Sequence, residues 1–212
     1  MRYTVINVDE SRQIYVNAIH ETMRGHTHVP TVAVDARDPQ QLIAAREKYP
    51  YPIHTGLWTP KNGMIGVWYS MLNVWEHGGP IIHFEDDSMI HPNFHEELEK
   101  RLAQMPADTD FMSLFLPLDH AHDYTYDKHV TEDLARPYNT YGGVSMYFTE
   151  RGVEKIMALV KEQGITCQWD DWLYRMARNY RLNGYVPKPT AEPLVSIFVL
   201  ESFAQNGGMY VG

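Results

Sequence analysis

The 212-residue sequence has a single cysteine, Cys167, so no disulfide can form within the chain and a cysteine-built zinc site is excluded. Long apolar runs are absent too. The longest, such as Leu194 to Leu200, fall far short of a bilayer-spanning helix, so no transmembrane segment is expected. The opening MRYTVINVDE carries polar and acidic residues where an export signal needs an apolar stretch, and a reducing cytoplasmic setting is the expectation. Basic clusters are missing. With a formal net charge of -9, the chain offers no basic face for a nucleic-acid backbone, and duplex nucleic acid is not an expected partner. There is no G-x-G-x-x-G, no P-loop and no G-x-S-x-G, which argues against a dehydrogenase, an NTPase or a serine hydrolase.

What is present is an ordinary globular balance, 44% hydrophobic and 21% charged, in a length suited to one domain over 1–212. Aromatic residues are plentiful, with 5 Trp, 14 Tyr and 7 Phe; they can fill a core or stack on sugars and bases. Strand-like and helix-like stretches alternate. Tyr3 to Val8 and Val29 to Val34 read as strands, with a helix over Ser11 to Met23 whose apolar face is Ile14, Ala18 and Ile19. Pro39 opens a helix running to Tyr49. Met64, Val67, Trp68, Met71, Leu72 and Trp75 recur at helical spacing before Gly78-Gly79-Pro80 stops the helix. Pro80 to Phe84 is a strand, Asn93 to Gln104 a helix and Asp110 to Leu116 a strand. Val144 to Phe148 is a strand, followed by helices over Thr149 to Gln163 and Asp170 to Tyr180, with late strands at Val186 and Leu194 to Val199. The polar segment between, 119–140, has little period and reads as an active-site loop. The alternation predicts an α/β fold with a mostly parallel central sheet flanked by helices.

The most informative segment is Ile81-Ile82-His83-Phe84-Glu85-Asp86-Asp87-Ser88. A strand ending in three acids puts carboxylates at a sheet's carboxyl edge, where open α/β sheets bind ligands. Strand alternation lets Glu85 and Asp87 point one way and Asp86 the other, an E-x-D pair suited to Mg²⁺ or Mn²⁺ with phosphate oxygens completing the shell. A solvated acidic turn would look the same. Asn7, Asp9 and Arg12 follow the first strand, where a base, ribose and diphosphate commonly sit; Arg12 can equally be a surface charge on the first helix. Asp35 ends the second strand and can accept from a ribose hydroxyl or simply close a turn, while Asp86 can contact ribose or a donor sugar. Asp170 and Asp171 open a late helix between Trp169 and Trp172. Asp171, off the apolar stripe of Leu173, Met176, Ala177 and Tyr180, is the first candidate for a general base; helix capping is the plain alternative. His83, His91, His95, His120, His122 and His129 form no metal-binding helical pair and read as surface or loop residues, with His120 or His122 as possible additions to a metal shell or acceptor site.

Taken in order, these segments resemble the glycosyltransferase family 25 group, the lipooligosaccharide and collagen-type galactosyltransferases. The resemblance runs from Val5-Ile6-Asn7-Val8-Asp9-Glu10-Ser11-Arg12 through Ala33-Val34-Asp35 to Gly66–Glu76, which is similar to that family's G-x-x-x-S-H-x-x-x-W helix with Met71 in place of the histidine. It continues through the E-D-D, the Gly142 to Thr149 strand and the Gln168-Trp169-Asp170-Asp171-Trp172 helix start. The resemblance implies a single-domain GT-A (Rossmann-like) fold, a UDP-sugar donor, Mn²⁺ or Mg²⁺ at Glu85 and Asp87, Ser70 near the donor, and inversion at the anomeric carbon. The expected acceptor is a glycan, a lipid-linked saccharide, a protein side chain or a modified nucleobase. The competing readings are a metal-dependent hydrolase of a phosphoester or sugar nucleotide, and a non-catalytic glycan-binding protein.

Overall fold

The computed structural model describes residues 1–54, 60–115, 126–137, 140–188, 190–191 and 194–197. Among them, ten strands and six α-helices follow one another as β1 (Arg2–Ile6), α1 (Gln13–Thr22), β2 (Thr27–His28), α2 (Pro39–Lys48), α3 (Asn62–Glu76), β3 (Ile81–Glu85), β4 (Ser88–Ile90), α4 (Phe94–Gln104), β5 (Phe111–Ser113), β6 (Tyr126–His129), β7 (Leu134–Pro137), β8 (Ser145–Phe148), α5 (Glu150–Gln163), α6 (Trp169–Arg178), β9 (Gly184–Pro187) and β10 (Val195–Ile197). A short 3₁₀ turn, Glu10–Arg12, leads into α1.

An eight-stranded sheet has the order β2-β1-β3-β8-β5-β9-β7-β6, and β4 pairs with β10 in a separate ribbon. The strands β2, β1, β3, β5, β9 and β6 run one way, while β8 and β7 run against them. The fold is therefore α/β, as the alternation predicts, but the sheet is mixed: β8 lies between β3 and β5 and is antiparallel to both. Alternation along the buried strands feeds two cores. Ile81, Phe111, Met146 and Phe148 face α3, α5 and α6, while Tyr3, Val5, Ile82, Phe84 and Met112 face α1 and α4.

Local chemistry sets the starts of α2 and α5. Asp38 caps α2 by accepting from the Gln40 amide at 2.9 Å, and Pro39 occupies the first turn, where a missing N–H costs nothing. Thr149 caps α5 through the Gly152 amide at 2.9 Å. On α3, Trp68 and Trp75 are completely buried; each such side chain contributes roughly 1.5–3 kcal/mol through apolar burial.

Four expectations need correction. The buried face of α1 is Val16 and Ile19, continued by Met23, whereas Ile14 is 70% exposed, because the helix packs one residue out of phase with the predicted stripe. The expected strand over Val29 to Val34 does not form, and a two-residue strand, Thr27–His28, lies just before it. Beyond it, Val29 to Asp35 runs alongside β1 and α3, held by isolated bonds such as Val29 N–H to the Tyr3 carbonyl (2.8 Å). On α6, Leu173 and Ala177 are buried as expected and Met176 partly so, but Tyr180 lies beyond the helix end and is 66% exposed; Trp169, Trp172 and Tyr174 complete the buried face. Within 119–140 the described part holds β6 and β7, which join the sheet through β9; backbone pairing organises a segment whose side chains have no clear period. The rest of that expected loop, including His120 and His122, lies outside the described residues. No helix among the described residues is long and apolar enough to cross a membrane.

Candidate functional site

Strand β1 ends at Ile6 beside Glu85, the last residue of β3, and the chain turns at Asp86-Asp87 into β4. The antiparallel β8 brings the Gly142–Val144 approach to the same edge, where the Glu85 amide donates to the Val144 carbonyl at 2.8 Å. The first turn of α6 closes the group from the helix side: the Gly142 amide donates to Asp170 Oδ2 at 2.8 Å, and Tyr174 donates to the Gly142 carbonyl at 3.1 Å.

Glycine is required at this approach for two reasons. Gly142 has φ +93, and a Cβ on Gly143 would lie 1.9 Å from Cζ2 of Trp169. The bare backbone lets the indole pack against it, and Trp169 in turn meets His83 edge-on at 5.7 Å.

The electrostatics are lopsided. Burial holds the Glu85 carboxyl well above the usual range, and the nearby charges of Asp87, Asp170 and Asp86 raise it further; only Arg12 acts in the other direction. Burial also raises Asp86, Asp87 and Asp170. Arg12 Nη1 reaches Asp86 Oδ1 at 2.5 Å and Asp87 Oδ2 at 3.4 Å. The other Asp87 oxygen, Oδ1, is buried and has no hydrogen-bond partner. Glu85, Asp86 and Asp87 thus share one guanidinium, with Asp170 adding a fourth carboxyl beside Glu85, which favours a further cation at the cluster.

The predicted site residues separate. Glu85, Asp86, Asp87, Asp170 and Arg12 converge on one edge. Strand alternation does not send Asp86 away from Asp87, because the chain has already turned there and both acids face Arg12. Asn7 and Asp9 build the turn after β1: Asn7 Oδ1 accepts from the Asp9 amide at 2.8 Å, and Asp9 Oδ1 accepts from the Ser11 amide at 2.9 Å. Asp35 is held by a forked contact from Arg37 (2.9 and 3.0 Å from Nε), which also reaches the Val8 carbonyl at 2.9 Å. Ser70 is buried among backbone partners. Its Oγ donates to the Gly66 carbonyl at 2.8 Å and accepts from the Val34 amide at 2.8 Å, so it anchors the Val34–Asp35 segment rather than facing a ligand.

The two aspartates of α6 part company. Asp171 pairs with Arg175 at 2.8 Å across one helical turn, with its side chain 41% exposed, while Asp170 turns towards the acids of β3. Sequence reasoning favours Asp171 because it lies off the apolar stripe; that stripe keeps Leu173 and Ala177 and widens to Trp169, Trp172 and Tyr174, and Asp170 sits beside it. His83 is another departure. It is wholly buried, neither ring nitrogen has a partner, and burial pushes its imidazole down to about 3. Tyr174, which ties Gly142 to α6, carries no signal in the sequence beyond helical spacing.

Among the described residues, no three His, Cys, Asp or Glu side chains are grouped so as to hold a metal ion unaided. The donor set still fits a hard divalent ion. Mg²⁺ commonly takes one or two carboxylates and completes its shell with phosphate and water; Asp87 Oδ1 is a buried oxygen without a hydrogen-bond partner, and Glu85 lies beside it among like charges. No protein-family model matches the chain, and no curated protein matches it.

Proposed function

We propose that the chain is a divalent-cation-dependent glycosyltransferase of the GT-A type, moving a hexosyl group from a UDP-sugar to an acceptor hydroxyl with inversion. The observation that carries this reading is the under-compensated cluster of Glu85, Asp87 and Asp170 at the carboxyl edge of the sheet. The donor class, the inversion and the GT-A assignment rest on the sequence resemblance described above.

In this reading Glu85 and Asp87 hold Mn²⁺ or Mg²⁺, with Asp87 offering its unpartnered Oδ1. When bound, such an ion offsets the charge that grows on a departing diphosphate. Asp170 is the general base. It opens α6 beside the cluster, and the Gly142 amide fixes one of its oxygens, so the carboxylate is held in a set orientation to take the acceptor's proton. The Asp171–Arg175 pair borders the site without entering it. The turn built by Asn7 and Asp9, and the Asp35–Arg37 pair at the Val8 carbonyl, line the end of β1, where a nucleoside binds in this reading.

Calorimetric titration of UDP, with Mn²⁺ and then with EDTA, tests the reading. Cation-dependent binding that Asp87→Ala abolishes is the expected result. Absence of UDP binding in both conditions sinks the transferase reading.

A further inference from the structure

The E-D-D acids already have a positive partner supplied by the chain. Arg12 contacts Asp86 at 2.5 Å and Asp87 at 3.4 Å through a single nitrogen, and its side chain is 17% exposed. It is not a loosely placed surface cation. The turn that carries it is pinned from below, by Asn7 Oδ1 on the Asp9 amide and by Asp9 on both Ser11 (2.9 Å) and the Arg12 amide (3.0 Å). The guanidinium therefore has a fixed origin at the end of β1 and a fixed target at the end of β3.

The two oxygens of Asp87 sit in different surroundings. Oδ2 faces Arg12; Oδ1 is buried without a partner. A positive charge held 3.4 Å from one oxygen orients the other, and it also repels any divalent ion that approaches the same carboxylate. These two effects differ in consequence. Orientation alone would make Arg12 a helper of cation binding; repulsion makes it a competitor, relieved when a diphosphate brings negative charge to the same place.

We infer that Arg12 is a resident counter-cation: it neutralises Asp86 and one oxygen of Asp87 before a cation binds, weakens uptake of a free divalent ion, and couples tight cation binding to the arrival of an anionic diphosphate. This rests on the cation-dependent reading of the site. It makes Asp86 a partner of Arg12 rather than a ligand, and leaves Glu85 and Asp87 Oδ1 as the oxygens for the ion. Arg12 is then a positioning residue whose loss tightens one binding step and loosens the next.

The test is calorimetric titration of Mn²⁺ alone, and of Mn²⁺ in the presence of UDP, into the wild-type chain, Arg12→Met and Arg12→Lys. Arg12→Met is expected to bind Mn²⁺ alone roughly tenfold more tightly than wild type, since the repelling charge is gone. UDP should raise Mn²⁺ affinity strongly in wild type and in Arg12→Lys, and much less in Arg12→Met. General structural damage weakens binding, so a gain in Mn²⁺ affinity separates this role from a merely structural one. Equal or weaker Mn²⁺ binding by a folded Arg12→Met overturns the inference. Should that variant fail to fold, a wild-type chain whose Mn²⁺ affinity is indifferent to UDP overturns it as well. No Mn²⁺ binding by wild type under either condition means the cation reading itself has failed, and this inference falls with it.

Discussion

Both ends of the central sheet carry buried acids, and the two ends treat them in opposite ways. At the amino end of β5, Asp110 is fully buried and surrounded by donors: Lys155 Nζ at 2.6 Å, the Asn183 amide at 2.7 Å, and Arg151 Nε at 3.3 Å as an ion pair without hydrogen-bond geometry. At the carboxyl end of β3, Glu85, Asp86 and Asp87 share Arg12, and Asp170 lies beside Glu85. The first arrangement sets two cations against one acid and ties α5 and the entry to β9 onto β5 through Asp110 Oδ2, while Oδ1 has the Arg151 ion pair and no hydrogen bond. The second leaves charge unbalanced at the edge where α/β sheets bind ligands. An oxygen without a hydrogen-bond partner occurs at both ends, so it is the excess of acids over facing cations that sets the β3 end apart.

The contrast breaks most forcefully at Asp110. Asp110→Ala leaves the Asn183 amide without its acceptor and removes the anion shared by the half-exposed Lys155 and Arg151; it is expected to cost about 3 kcal/mol of unfolding free energy, read from urea denaturation, without changing cation-dependent UDP binding in the folded fraction. Next in size is Gly143→Ala. Its Cβ would meet Trp169 at 1.9 Å, so a loss of about 2 kcal/mol is expected from overpacking, together with weaker UDP binding because Asp170 follows directly on the displaced indole. A variant that leaves both stability and binding intact would show that α6 does not set the site.

A charge removed from the other end should act with the opposite sign. Asp87→Asn is expected to stabilise the chain by roughly 1 kcal/mol at pH 8 in EDTA, by relieving its neighbours, while abolishing cation-dependent UDP binding. Loss of stability instead would mean that Arg12 alone balances the cluster.

The last contrast is in pH. Carboxyls raised in the fold hold protons that the unfolded chain releases, so their penalty is absent below the ordinary values of 3.8 and 4.5 and grows as pH rises through the raised ones. Melting temperature in EDTA should fall along that limb, and saturating Mn²⁺ should flatten it. His83 works the other way. Its imidazole is lowered from 6.5 to about 3, so the fold loses stability as pH drops through that window. His83→Leu should remove the acid-side loss and leave the alkaline-side limb in place.

Much of this was readable beforehand where a local rule governs. Pro39 after Asp38, the six spaced apolar residues of α3 and the abrupt acids after Phe84 each announce an element or an edge through short-range chemistry. The reversed β8 was not readable, because a four-residue apolar strand has the same pattern in either direction. Nor was the choice between Asp170 and Asp171, which depends on the rotation of α6 about its axis. Arg12 was legible as a candidate for the diphosphate or as a surface charge, but its pairing with Asp86 and Asp87 was not, because they lie 74 and 75 residues away.

The sequence by itself determined the α/β class, the caps and the concentration of acid at the end of β3, since these follow from propensity, period and residue type over a few positions. Only the tertiary structure decided that Asp110 is neutralised and Glu85 is not. Compensation of a buried charge depends on which distant donors the fold delivers to it, and no local pattern records that distance.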